Sequence, residues 1–267
     1  MRKYVKKGDF SVTGISGTYV VVLGFNAKES ATEGLLGFAI ERTDHTENEK
    51  YPLRGLKTFE ETVPNPIPGM QYSTFEHPIQ SFHWGDYTAK TAHKYTYRVV
   101  PLFGKPKNLE QGTALDIDLD SESEDKATHA IYFNRGVAGS QAYAVKYGNK
   151  KPDEFPDQRA FVWLSRGLEE AMLNFIGLPD GNQYGLRAAF YEFNYAPVLE
   201  AFKKAADRGV DVKIVYDSRK ETPRKESDEA IDEVGIRSFV KRREKSPSYL
   251  SHNKFIVLLK NDKPIEV

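Results

Sequence analysis

Between residues 111 and 125 the chain carries Asp116, Asp118, Asp120, Glu122, Glu124 and Asp125 with no basic residue. The apolar pattern has a different period on either side of this stretch. Before it, runs rich in β-branched and aromatic residues recur: TYVVVLGF at 18–25, LGFAIER at 36–42 and KYTYRVVPLF at 94–103. The third alternates Tyr95, Tyr97 and Val99 with Thr96 and Arg98, the period of a strand half buried on one face. Pro and Gly punctuate the gaps, as in PNPIPG at 64–69. Short strands between turn signals predict a β-sandwich over residues 1–110. The acidic stretch 111–125 reads as a linker. Its alternating aspartates do not make an EF-hand loop, because 121–125 lack the glycine and distal glutamate that loop requires, so no metal site is predicted.

After the linker, strand and helix patterns alternate. Residues 158–176 place Phe161, Leu164, Leu168, Met172 and Phe175 at helical spacing. Residues 186–193 read as a strand, and 196–208 as an amphipathic helix stopped by Gly209. Residues 210–216 alternate as a strand, 226–234 form a short helix ending at Gly235, and 253–259 form a final apolar strand. This order predicts a parallel or mixed α/β sheet over 126–267. The fold class expected for the whole chain is therefore α+β multidomain: an all-β sandwich followed by an α/β domain.

The 267 residues are enough for two cores. A hydrophobic share of 39% and a charged share of 28% are ordinary for a globular chain. The net charge is zero, so any attraction for a polyanion must be local. The absence of cysteine excludes disulfides, thiolate metal sites and a cysteine nucleophile. Together with a basic N-terminus that no apolar run follows, it predicts a cytoplasmic protein without a transmembrane segment.

The residues with the most chemistry are His252 and Lys254. Two residues apart on a strand, they face the same way. A neutral imidazole can attack phosphorus near neutral pH, and an ammonium can neutralise phosphoryl oxygens. Arg237, Lys241, Arg242, Arg243, Lys245, Lys254 and Lys260 stand against one acid, Glu244, over 236–260. Such a basic approach would steer a polyanion, with Arg242 and Arg243 as substrate contacts. Glu192 and Asn194 follow a strand end, the edge that faces a ligand crevice in open α/β sheets, and are further substrate-binding candidates. Asn194 would equally cap the helix that follows. His77 and His83 have no recognised zinc spacing and no supporting ligands.

His252-Asn253-Lys254, following the block PVLEAFKKAADRGVDVKIVYD at 197–217, resembles the HxK half of the HKD motif in the phospholipase D superfamily. The segment YFNRGVAGS at 132–140, with Arg135 and Ser140, also resembles bacterial members of that superfamily. The resemblance implies metal-independent hydrolysis of a phosphodiester, in nucleic acid first and phospholipid second, through a phosphohistidine and without a cofactor. It also implies a second HKD motif, supplied by a homodimer or by a C-terminal half. Two departures stand out: the family's HxKx4D places aspartate where this chain has Leu259, with Asp262 three residues later, and no Gly-Ser-x-Asn element or second HxK follows. The chain therefore reads as the N-terminal part of such a protein, and a binding or scaffold role with a degenerate half-site is the alternative. LGFAIER and YTYRVVP at 95–101 resemble strands of a fibronectin type III-like module.

Overall fold

The computed structural model describes residues 1–125, 128–136, 140–217, 221–243, 249 and 251–267, with the backbone alone at Gln141 and Pro223. Within it the chain divides into two compact units, Met1–Leu164 and Ser165–Val267.

The first unit is antiparallel β. Its strands are β1 (Arg2–Lys7), β2 (Phe10–Ser16), β3 (Val21–Ala27), β4 (Leu35–Asp44), β5 (Glu49–Pro52), the short pair β6 (Arg54–Gly55) and β7 (Tyr72–Ser73), β8 (His83–Asp86), β9 (Lys94–Lys105), β10 (Asn108–Gln111) and β11 (Leu115–Asp120). One sheet runs β1-β2-β3-β8. The other runs β10-β9-β4-β5, with β11 on the first half of β9. Alternate residues of both sheets meet in one core that contains Val12, Leu23, Phe38, Ile40, Tyr97, Val99 and Ile117. At Gly14 a Cβ would come 2.5 Å from the Leu119 side chain of the facing sheet. Gly37, at a bulge in β4, has φ +140 and a virtual Cβ 2.4 Å from the Ile79 carbonyl oxygen. A side chain there meets backbone that has no room to yield.

The expected linker is corrected over its central six residues. Residues 115–120 are β11, with Leu115, Ile117 and Leu119 essentially unexposed and the three aspartates facing outward. The aspartates hold an all-acidic run as a strand because β9 supplies partners: Thr96 donates to Asp118 at 2.6 Å and Arg98 pairs with Asp116 at 3.4 Å. The alternation of apolar and acidic residues is a strand period that a count of charges conceals.

The unit ends with two short helices, α1 (Gln141–Tyr147) and α2 (Arg159–Ser165), whose second reaches into the next unit by one residue. Ser140 caps α1 by accepting from the Tyr143 amide at 3.3 Å. Tyr143, Phe155 and Ala160 make a small core here with Tyr147 and Trp163. The single helix expected over 158–176 is divided: α2 ends at Ser165, and Arg166 and Gly167 both take positive φ before the next helix. Gly167 supplies the left-handed turn that heptad-like apolar spacing does not reveal.

The second unit contains α3 (Leu168–Gly177), β12 (Tyr184–Phe190), α4 (Ala196–Asp207), β13 (Asp211–Asp217), α5 (Glu221–Val234), β14 (Val240–Arg243), β15 (Phe255–Lys260) and β16 (Lys263–Glu266). The sheet order is β14-β13-β12-β15-β16. β12, β13 and β14 are parallel, and β15 lies antiparallel to β12. Leu199, Phe202 and Ala205 of α4 pack on Leu186, Ile214 and Tyr216 of the sheet and on Ile231 of α5. The short strand β14 lies inside the stretch whose charge alone had marked it as a basic approach. β15 is less buried than its apolar sequence implies, since Leu258 alone is fully buried. Among the described residues no helix is long and apolar enough to cross a membrane.

Candidate functional site

The sheet of the second unit brings its chemistry to one edge. Parallel strands β12, β13 and β14 end there at Phe190, Asp217 and Arg243, and antiparallel β15 begins there, because Phe255 pairs with Ala189. His252 and Lys254 precede β15 and are exposed at this edge. The Lys254 ammonium lies 2.9 Å from His252 Nδ1 and 3.2 Å from Nε2, and donates to the His252 carbonyl at 3.0 Å. An ammonium has no lone pair, so in this contact the imidazole is the acceptor. The site therefore presents an imidazole and a lysine side chain side by side.

Two residues not singled out in the sequence complete the site. Tyr191, immediately after β12, places its ring 4.8 Å from that of His252 and 5.5 Å from the Lys254 ammonium, within cation–π range. Asp217, the last residue of β13, is 4% exposed. Its Oδ2 accepts from the Ser251 amide at 3.0 Å and from Arg243 Nη1 at 3.3 Å. A buried carboxylate thus anchors the backbone one residue before His252. The strand period gave no signal for Asp217, because by alternation it falls on the exposed face with Asp211 and Lys213, and it is buried only at the end of the strand.

The other candidates are distributed unevenly. Arg243 also donates to the Tyr249 carbonyl at 3.0 Å, so it braces the segment that leads to His252. Arg242 turns instead toward α5. Its Nη2 donates to Asp228 at 2.6 Å, and Arg237 donates to the same carboxylate at 2.8 Å. Two of the seven basic residues of the expected approach are therefore held within the fold, because Asp228 of α5 draws in Arg242 of β14 and Arg237 of the turn before it. Burial works to raise the Asp228 carboxyl, but hydrogen bonds from Tyr216, Arg237 and Arg242 outweigh it and hold the group at about 2. Lys245 and Glu244 lie outside the described residues. Lys260, at the far end of β15, sits over the Tyr184 ring.

Glu192 is exposed beside Tyr191. Asn194 donates to Glu226 at 3.2 Å and does not cap α4, whose N-cap is Tyr195. Burial and the hydrogen bond to Glu169 push the Tyr195 hydroxyl up to about 12. Arg135 lies over the Trp163 ring at 4.6 Å in the first unit, where its role is packing; Val137, Ala138 and Gly139 of that segment lie outside the described residues.

The family's aspartate position falls on Leu259, half buried in β15 opposite Gly185. Asp262 is not displaced into its place. Asn261 and Asp262 both have positive φ, 49 and 61, and turn the β15–β16 hairpin at the end of β15 remote from His252. Among the described residues no group of three His, Cys, Asp or Glu side chains is arranged to hold a metal ion.

No curated protein matches the chain. Residues 182–262 match the family described as cardiolipin synthase, PLD-like domain. The match spans β12 to the β15–β16 turn and includes Tyr191, Asp217, His252 and Lys254, and it supports a place for this segment in the phospholipase D superfamily.

Proposed function

We propose that the second unit carries one half of a phosphodiesterase site, with His252 and Lys254 as its reacting pair. The observation that carries this reading is the pairing of imidazole and ammonium, exposed together at the strand edge of a phospholipase D-like domain. A phosphodiester entering here would draw the ammonium from the imidazole onto a phosphoryl oxygen and free the ring nitrogen. That nitrogen forms an N–P bond as the P–O bond to the leaving group breaks. A second histidine, from another copy of this chain or from another HKD segment, gives its proton to the leaving oxygen. It then takes a proton from water, which attacks phosphorus and breaks the N–P bond. No step requires a metal or cofactor.

Nucleic acid is the first substrate class, supported by the exposed Lys241 and Lys254 and by Arg243 at the same sheet edge. Phospholipid is the second, supported by the matching family's description. The sheet order of the first unit, three strands of one sheet facing the β5-β4-β9-β11 layer with β1 added at the edge, supports a fibronectin type III-like accessory module. The alternative, a binding or scaffold protein with a degenerate half-site, is favoured by Leu259 and by the placement of Asp262 in a turn.

Hydrolysis of bis(p-nitrophenyl) phosphate in EDTA decides between them. The expected result is EDTA-resistant turnover that is lost in His252→Ala and depends on protein concentration, as a site completed between two copies must. Equal turnover in parent and variant, or none in the parent at any concentration, would leave the scaffold reading.

A further inference from the structure

The outer face of the β1-β2-β3-β8 sheet is built like a binding platform. In register, Arg2, Ile15, Val22 and Gly85 form one row across the four strands, and Tyr4, Thr13, Gly24 and His83 form the next. A third row is Lys6, Ser11 and Asn26. No carboxylate stands in any of these rows. Tyr4 is 62% exposed and Tyr87 78% exposed. Tyr87 follows β8 and lies over Gly85, where a Cβ would come 2.9 Å from its ring. The glycine thus seats one aromatic ring on the outer face, and Ile15 and Val22 provide an exposed apolar floor between the two tyrosines. Arg2 and Lys6 are exposed, and Lys6 lies near enough to Asp9 of the β1–β2 turn to act on its carboxylate, whose main partner is Lys28.

Two rings, an apolar floor and exposed cations on one sheet face leave apolar surface in water that a planar ligand would cover. Aromatic side chains on a sheet stack bases of a strand whose phosphates meet neighbouring cations. We propose that this face binds single-stranded nucleic acid, with bases stacked on Tyr4 and Tyr87 and phosphates paired with Arg2 and Lys6. A duplex keeps its base faces covered, and an anionic membrane or acidic protein has charge without stacked planar rings. The platform belongs to the first unit, and the proposal stands whether or not the His252 site of the second unit hydrolyses phosphodiesters.

The test uses the full chain carrying His252→Ala, so that no strand is cleaved, and follows anisotropy of a labelled oligothymidylate of about 12 nucleotides. Tyr4→Leu and Tyr87→Leu keep apolar bulk and remove the rings. Each is expected to weaken binding about fivefold or more, with thermal melting unchanged. An abasic strand of equal length is expected to bind as weakly as the double leucine variant. Arg2→Gln with Lys6→Gln should flatten the salt dependence by about 1.4 in log–log slope. No binding by the parent, no loss in the leucine variants, or equal binding of the abasic strand would overturn the proposal. Competition by phosphatidylglycerol vesicles as effective as that by the strand would also overturn it. Hydrolysis of bis(p-nitrophenyl) phosphate by the chain with His252 intact is expected to be unchanged by the leucine substitutions, which separates failure of the platform from failure of the hydrolytic reading.

Discussion

At the residue scale, the contacts of His252 depend on groups that do no chemistry. Asp217 is buried and fixes the Ser251 amide, while Arg243 on the neighbouring strand satisfies the same carboxylate oxygen. Removing the carboxylate leaves a donor and a guanidinium short of a partner. Asp217→Ala is therefore expected to lower unfolding free energy by about 2 kcal/mol in urea titration. Any hydrolytic activity should fall further than the lost stability accounts for, because the loop bearing His252 loses its anchor. Asp217→Asn, which keeps an acceptor, should recover part of both losses. Leu259 is the opposite case. Five residues along an extended chain set its Cα about 16 Å from that of Lys254. Leu259→Asp is expected to lower the melting temperature and leave hydrolysis no higher, since a charge would replace apolar contact in β15 without reaching the pair.

At the element scale, the tie between α5 and β14 is electrostatic. The Asp228 carboxyl sits at about 2 when folded, against an ordinary value of 3.8. A folded value below the unfolded one means that the stabilisation is present above about pH 4 and is lost as pH falls from there through 2. The difference corresponds to about 2 kcal/mol. Asp228→Asn should therefore be less stable than the parent near neutrality and converge with it below about pH 2, as read by denaturant midpoints across pH. In the first unit the bulge at Gly37 is a purely steric constraint. Gly37→Ala places a methyl group against the Ile79 carbonyl at positive φ, and a loss of about 2–3 kcal/mol is expected in the same titration.

At the scale of the whole molecule, the two largest cores lie between the sheets of the first unit and between sheet and helices in the second. Phe202, fully buried among α4, α5 and the sheet, is the test of the second: Phe202→Ala is expected to cost about 3–5 kcal/mol. What the sequence by itself determined is the change from a strand pattern to an alternating strand–helix pattern. Apolar period separates a β-rich half from an α/β half, and His252 with Lys254 is legible as a motif, although the strand expected from residue 253 begins at Phe255 and the pair lies just before it instead of on one strand face. Local period cannot see long-range partners. Residues 115–120 look like a charged linker until β9 supplies a paired strand and a core for Leu115, Ile117 and Leu119. Arg242 looks like a substrate contact until Asp228, 14 positions away, takes its guanidinium, and Asp217 looks like a strand end until the Ser251 amide arrives from 34 positions away. Only tertiary structure decided those, because the energy of a charge is set by the partners the fold brings to it, not by its neighbours in the chain.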